Sequence, residues 1–263
     1  MSYLKQAVKL VQDGDRYSGH GRLLSDFIDE WAYRQTGLYP PSRAFSEEEN
    51  EVASQLSRVI HSAWEAQPGE DFIGHVIEEC GGSGHLSFFR TPPALSILMS
   101  RMMGVRSGLE DFSDICCGTG SLTLARIYQT FLDGGARSVA RLNITGEDLS
   151  ASKVKVTMLQ VLNLLEIIGN GQPLYVHSLN LSEVNSLTRE RGRVQYIASG
   201  INNAHCRLSK EQRQLVREAL SHRIPFSIIS ERLRIPINLI RKAQKDVNSE
   251  SGNCLRIPQD SSI

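Results

Sequence analysis

The residue types best suited to chemistry in this chain are an aspartate, two glycines that follow it closely, and a later pair of carboxylates. They stand in Asp114-Ile-Cys-Cys-Gly-Thr-Gly120 and at Glu147-Asp148. Asp114 can accept hydrogen bonds at the mouth of a turn. Gly118 and Gly120 let the backbone turn sharply and approach a ligand. An acid that ends the next strand can hold two ribose hydroxyls, and Asp148, or its neighbour Glu147, has that place. The turn departs from a full G-x-G-x-x-G, because Thr123 stands where the last glycine would be. Asp148 also lies further from Gly120 than in the compact dinucleotide fingerprint, which disfavours NAD. The cysteines are Cys80, Cys116, Cys117, Cys206 and Cys254; none forms a C-x-x-C pair, so no metal site is expected and reduced thiols are.

These residues need a strand, a tight turn and a helix to position them. A short strand is expected from Leu109 to Cys116, with a helix opening at Ser121. Further strands are read at Arg141 to Gly146, Leu174 to His177 and Val194 to Ala198, with a long apolar helix from Val154 to Ile168. That alternation implies a parallel, doubly wound α/β sheet of Rossmann-like type. The preceding hundred residues read as helices. Leu24, Phe27, Ile28 and Trp31 share one helical face, and Ser46-Glu-Glu-Glu49 is a capping-box start. Thr91-Pro-Pro93 opens a further helix, since proline is accepted in a first turn.

The run Asp114 to Gly120 resembles the D-P-C-C-G-T-G cofactor motif of the N6-adenine DNA methyltransferases, in particular the modification subunits of type I restriction systems. Phe89-Arg-Thr-Pro-Pro-Ala-Leu95 resembles that family's F-F-T-P-P element, and Gly146-Glu-Asp-Leu149 its G-Q-E-I. The helix reaching Asn163-Leu-Leu165 is similar to its A-x-x-N-L-x-L helix, and Asp71-Phe-Ile-Gly74 fits its helical lead-in. The resemblance implies S-adenosylmethionine as cofactor. Asp114, Gly118, Gly120 and Asp148 would bind it, and Phe89, Thr91 and Pro92 would shape its pocket. The implied reaction is methyl transfer to the N6 amine of a flipped adenine in DNA.

The family's catalytic N/D-P-P-Y/F motif is missing. The corresponding stretch is Tyr196-Ile-Ala-Ser-Gly-Ile-Asn-Asn203, which reads as an ordinary loop. No catalytic residue is therefore assigned. His177-Ser-Leu179 stands where the family has an acid after its third strand. Too little chain remains for the family's later strands, so the sheet is either truncated or completed by a second polypeptide. The competing functional reading is a catalytically inactive methyltransferase-like platform that binds DNA for regulation.

Charge is distributed unevenly. The formal net charge is zero, yet Arg207 to Asp246 holds ten basic and four acidic residues. A basic segment on an acidic body suggests a polyanion partner. The string Ile229 to Ile240 resembles helix-turn-helix modules, with Arg234 departing from the usual turn glycine. Asn238 and Arg241 would read bases, while Arg232, Lys242 and Lys245 would meet phosphates. The expected organisation is an N-terminal helical region over 1–105 and a cofactor-binding domain over 106–204. A small all-α DNA-binding module over 205–250 and a tail over 251–263 follow. At 40% hydrophobic and 22% charged residues, bulk disorder is not expected. With no apolar signal core and no run of transmembrane length, a cytoplasmic protein without membrane association is the expectation.

Overall fold

The computed structural model describes residues 2–18, 22–81, 90–105, 107–199, 210–222, 224 and 229. The chain divides into two compact units, Met1–Gln35 with Tyr39–Ile201 and Thr36–Leu38 with Asn202–Ile263.

The first unit begins with helices α1 (Tyr3–Ser18), α2 (Leu23–Thr36), α3 (Glu47–Ala66), α4 (Phe72–Glu79) and α5 (Pro93–Met103). The capping box of α3 forms as its sequence requires. The Ser46 hydroxyl accepts the Glu49 N–H at 3.2 Å, and the Glu49 carboxylate accepts the Ser46 N–H at 2.9 Å. Arg43 then grips the buried Glu49 with two bonds of 2.7 Å and reaches Asp26 at 2.8 Å, tying the start of α3 to α2. Leu56, Ile60 and Trp64 of α3 are buried, and Trp64 stacks at 5.5 Å on Trp31.

The sheet follows as β1 (Glu110–Ile115), α6 (Ser121–Val139), β2 (Leu142–Asp148), α7 (Ala151–Gly169), β3 (Ser178–Val184) and β4 (Arg191–Ser199). Its strand order is β1-β2-β3-β4. β1, β2 and β3 run parallel, with Asp114 beside Gly146 and Gly146 beside Leu181. Among the described residues the chain is thus α/β with Rossmann-like β-α-β-α-β winding. Among the described residues the sheet does not continue beyond β1.

Two expectations need correction. The third strand is Ser178–Val184, not Leu174 to His177. Leu179, Leu181, Ser182 and Val184 are its buried positions, and a register shift between Ser182 and Val184 breaks the two-residue alternation by which a strand is read. β4 is antiparallel to β3 rather than parallel. A parallel crossover needs a dozen or more residues, and only Asn185 to Glu190 join the two strands. They close a hairpin in which the Asn185 N–H donates to the Glu190 carbonyl at 2.9 Å.

One sheet face is packed; the other is largely polar, with Ile115 and Ile197 exposed on it. Phe112, Leu142, Ile144, Leu179, Leu181 and Val194 are buried on the side that α6 and α7 cover. The opposite face carries a ladder in which Asn143 donates to Asp111 at 2.9 Å and Ser178 donates to Asn143 at 2.9 Å. Side chains that satisfy one another across strands make this face stable towards water.

In the second unit α8 (Lys210–Ser221) is described, with Val216 buried, Leu215 exposed and Ile229 buried. No helix among the described residues is long and apolar enough to cross a membrane.

Candidate functional site

The turn after β1 uses three left-handed residues, Cys116 (φ 66°), Gly118 (φ 58°) and Gly120 (φ 97°). Cys116 holds that conformation without being glycine, and its side chain is exposed. Cys117 is buried, and burial pushes its thiol far above the usual range. Gly120 sits at the N-cap of α6 and has no side chain to offer its free N–H groups. Asp114, projecting from β1, supplies the missing cap: its carboxylate accepts the Thr123 hydroxyl at 2.7 Å and also the Thr123 N–H. Burial raises the Asp114 pKa, and the bonds from Thr123 oppose that shift.

Neighbouring elements fix the turn. The Cys117 N–H donates to the Glu147 carbonyl at 2.8 Å. Asp148 accepts the Gly118 N–H at 2.9 Å through one oxygen and the Ser150 N–H at 2.8 Å through the other. The Thr157 hydroxyl donates to the Gly118 carbonyl at 2.9 Å. A Cβ on Gly120 would stand 2.9 Å from the Thr157 methyl carbon. Asp148 thus lies at the turn with Gly118. Glu147 belongs to the opposite sheet face, where Arg189 holds it with bonds of 2.6 and 2.8 Å and lowers its pKa.

A second network lies behind the turn. Asp71, the N-cap of α4, accepts the Gly74 N–H at 2.9 Å, the Ser121 hydroxyl at 2.6 Å and the Thr119 hydroxyl. Gln160 of α7 donates to Asp71 at 2.7 Å and to the Thr119 carbonyl at 2.8 Å. Its own oxygen accepts the Ile73 N–H at 3.1 Å and the Trp64 indole at 3.3 Å. This buried cluster joins α3, α4 and α7 to the glycine turn. The sequence marks Asp71-Phe-Ile-Gly74 only as a lead-in and gives Gln160 no role. An aspartate three residues before a glycine, and a glutamine within an apolar helix, were the available signals.

Beside Asp71 and Ser121 opens a cavity of about 260 Å³. Glu70, Arg90, Thr91, Pro93, Ser96 and Gln129 also line it. The Ser96 hydroxyl is buried and has no hydrogen-bond partner among the described residues. The head of α5, with Thr91, therefore lies beside the first turn of α6. Pro92 is the N-cap of α5, while Phe89 lies outside the described residues. Asp114, Gly118, Gly120 and Asp148 meet at the turn but are not among the residues lining this cavity.

The stretch that stands at the position of the resembled family's N/D-P-P-Y/F motif begins within β4. Tyr196 is buried on β4, edge-on to Tyr39 at 5.5 Å, and burial raises its pKa. It is a core ring. The Tyr39 hydroxyl donates to the Gln195 carbonyl at 2.9 Å and accepts the Gln195 N–H at 2.8 Å, which covers the outer edge of β4. His177 precedes β3, and Glu183 near its end is engaged by the N–H groups of Arg193 and Val194 at 2.7 and 3.0 Å. Asn202 and Asn203 lie outside the described residues, as do Arg232, Asn238, Arg241, Lys242 and Lys245.

No family model matches the chain. No curated protein matches it either. Among solved structures, one from Listeria monocytogenes, described as a class I S-adenosylmethionine-dependent methyltransferase, is similar at 12% identity with a TM-score of 0.37. The similarity covers 67% of this chain and 52% of that one, so the chain spans about half the length of that structure.

Proposed function

We propose that the first unit binds S-adenosylmethionine and that the chain is a DNA methyltransferase-like protein. The observation that carries this reading is the turn itself. Asp114 caps α6, and Asp148 of the next strand end holds the Gly118 N–H, so the acids named from sequence meet at one glycine turn. Gly118, Gly120 and Asp148 would hold the cofactor's adenosine ribose. The adjoining cavity suits a polar amino-acid end. It offers the Ser96 hydroxyl, which has no partner among the described residues, together with Glu70 and with Arg90, whose guanidinium also meets Glu78 at 3.3 Å. When bound, the cofactor supplies an electrophilic methyl group, and the protein's part is to hold and orient it. DNA as the partner, and adenine N6 as the acceptor, rest on the sequence resemblance and the basic C-terminal segment.

The second reading, a platform that holds the cofactor without transferring its methyl group, is favoured by β4. That strand returns antiparallel beside β3, and its one aromatic ring at the expected place is buried. Incubation of the full chain with tritiated S-adenosylmethionine and mixed genomic DNA separates the two. Label in DNA that disappears in Asp114→Ala identifies the enzyme. Cofactor binding without label identifies the platform, and no binding overturns both.

A further inference from the structure

Asp71 is a buried carboxylate with no counter-charge among the described residues. It is 3% exposed and accepts four hydrogen bonds. One oxygen takes the Gly74 N–H at 2.9 Å and the Gln160 amide at 2.7 Å. The other takes the Ser121 hydroxyl at 2.6 Å and the Thr119 hydroxyl. All four partners are neutral donors, which suits an ionised carboxylate because it only accepts. No Lys, Arg or His forms an ion pair with Asp71 among the described residues. Buried charges are ordinarily paired.

The same carboxylate stands at a junction. It holds Thr119 and Ser121, on either side of Gly120, and it lines the cavity of about 260 Å³. The charged residues lining that cavity, among those described, are Glu70, Asp71 and Arg90. Arg90 already meets Glu78 at 3.3 Å, so negative charge is in excess. An independent observation marks the cavity as a ligand site. Ser96, which also lines it, is 2% exposed and its hydroxyl has no partner among the described residues. Asp114 and Asp148 are acids as well, but neither lines the cavity.

We propose that Asp71 selects the charge of the ligand, so that the site favours the positive sulfonium of S-adenosylmethionine over the neutral thioether of S-adenosylhomocysteine. This inference rests on the cofactor reading. The sulfur of that cofactor joins its adenosine part, which Gly118, Gly120 and Asp148 would hold, to its amino-acid part, which the cavity would take. Asp71 is in contact with the turn and with the cavity alike. Attraction between unit charges a few ångströms apart, away from bulk water, changes affinity by about tenfold or more. A site with this preference releases the neutral product more readily than it releases the methyl donor.

Isothermal titration of the full chain at low ionic strength tests it. The probes are S-adenosylmethionine, S-adenosylhomocysteine and sinefungin, in which an amine-bearing carbon replaces the sulfonium. S-adenosylmethionine and sinefungin should each bind about tenfold or more tighter than S-adenosylhomocysteine. Asp71→Asn keeps the shape of the side chain and removes its charge, and the preference should fall to about threefold or less, with circular dichroism as the control for folding. Glu70→Gln removes the other cavity charge without touching the turn and should weaken the preference in the same direction. It keeps the inference testable if Asp71→Asn does not fold. Glu65→Gln, on the exposed side of α3, should leave the preference intact. Equal binding of the charged and neutral ligands by the native chain, or tighter binding of the neutral one, overturns the inference and leaves the cofactor reading standing. So does a preference undiminished in a folded Asp71→Asn chain or in Glu70→Gln. No binding of any of the three ligands overturns both.

Discussion

Asp148, at the end of β2, accepts the backbone N–H of Gly118, in the turn that ends β1, at 2.9 Å. One carboxylate thereby sets the distance between two parallel strand ends and the conformation of the glycine turn between β1 and α6. Replacing Asp148 with Ala leaves the Gly118 and Ser150 N–H groups without their acceptor. The cost should be about 2–3 kcal/mol. Urea unfolding followed by circular dichroism measures it, and Asp148→Asn should recover part of the loss because an amide oxygen still accepts.

The Asp71–Gln160 cluster predicts a larger effect from a less conspicuous residue. Gln160→Leu fits the apolar helix around it, yet it strands the Trp64 indole, the Ile73 N–H and one acceptor position on Asp71. A loss of about 3 kcal/mol is expected, again from denaturant midpoints. A near-neutral result would mean that α4 is not fastened to the turn through this side chain.

Gly74 is a steric prediction. A Cβ there would stand 2.3 Å from an Asp71 oxygen and 2.4 Å from the Thr119 hydroxyl. Gly74→Ala should therefore destabilise the fold by about 1–3 kcal/mol, despite the better helix propensity of alanine. A stabilised variant would contradict this packing.

Acid sensitivity follows from Glu49. The hydrogen-bonded Arg43 guanidinium holds the Glu49 carboxyl below its ordinary value, and burial opposes this more weakly. A folded pKa below the unfolded one gives stability that is present above the unfolded value of ~4.3. It is lost as pH falls through the depressed folded value. Asp114 has the opposite sign, because burial raises its pKa and favours its protonated form in the folded state. Thermal midpoints between about pH 2 and 6 should fall more steeply towards acid in the native chain than in Arg43→Met.

Much of this architecture was legible in the sequence, for identifiable reasons. The capping box at Ser46, the proline start of α5 and the strand–turn–helix around Gly118 each depend on residues close in sequence. The hairpin of β3 and β4 was not legible, because the broken alternation of Ser178–Val184 hid the strand and so made the connection look longer than it is. At the site, Asp114 and Asp148 were named for a ligand. Their observed partners are Thr123, Gly118 and Ser150, so each also has a structural task that spacing alone does not reveal. Gln160 was passed over because its four partners come from α3, α4 and the turn, which only tertiary structure brings together.

The turn from Asp114 to Gly120 is proposed to hold S-adenosylmethionine. Isothermal titration of the full chain with S-adenosylmethionine tests it most directly, with Gly120→Val as the variant whose side chain fills the turn and circular dichroism as the control for folding. Saturable one-to-one binding, lost in a Gly120→Val chain that keeps its helical signal, is the predicted result. No binding by the native chain up to about 1 mM, or unchanged binding by Gly120→Val, would contradict it.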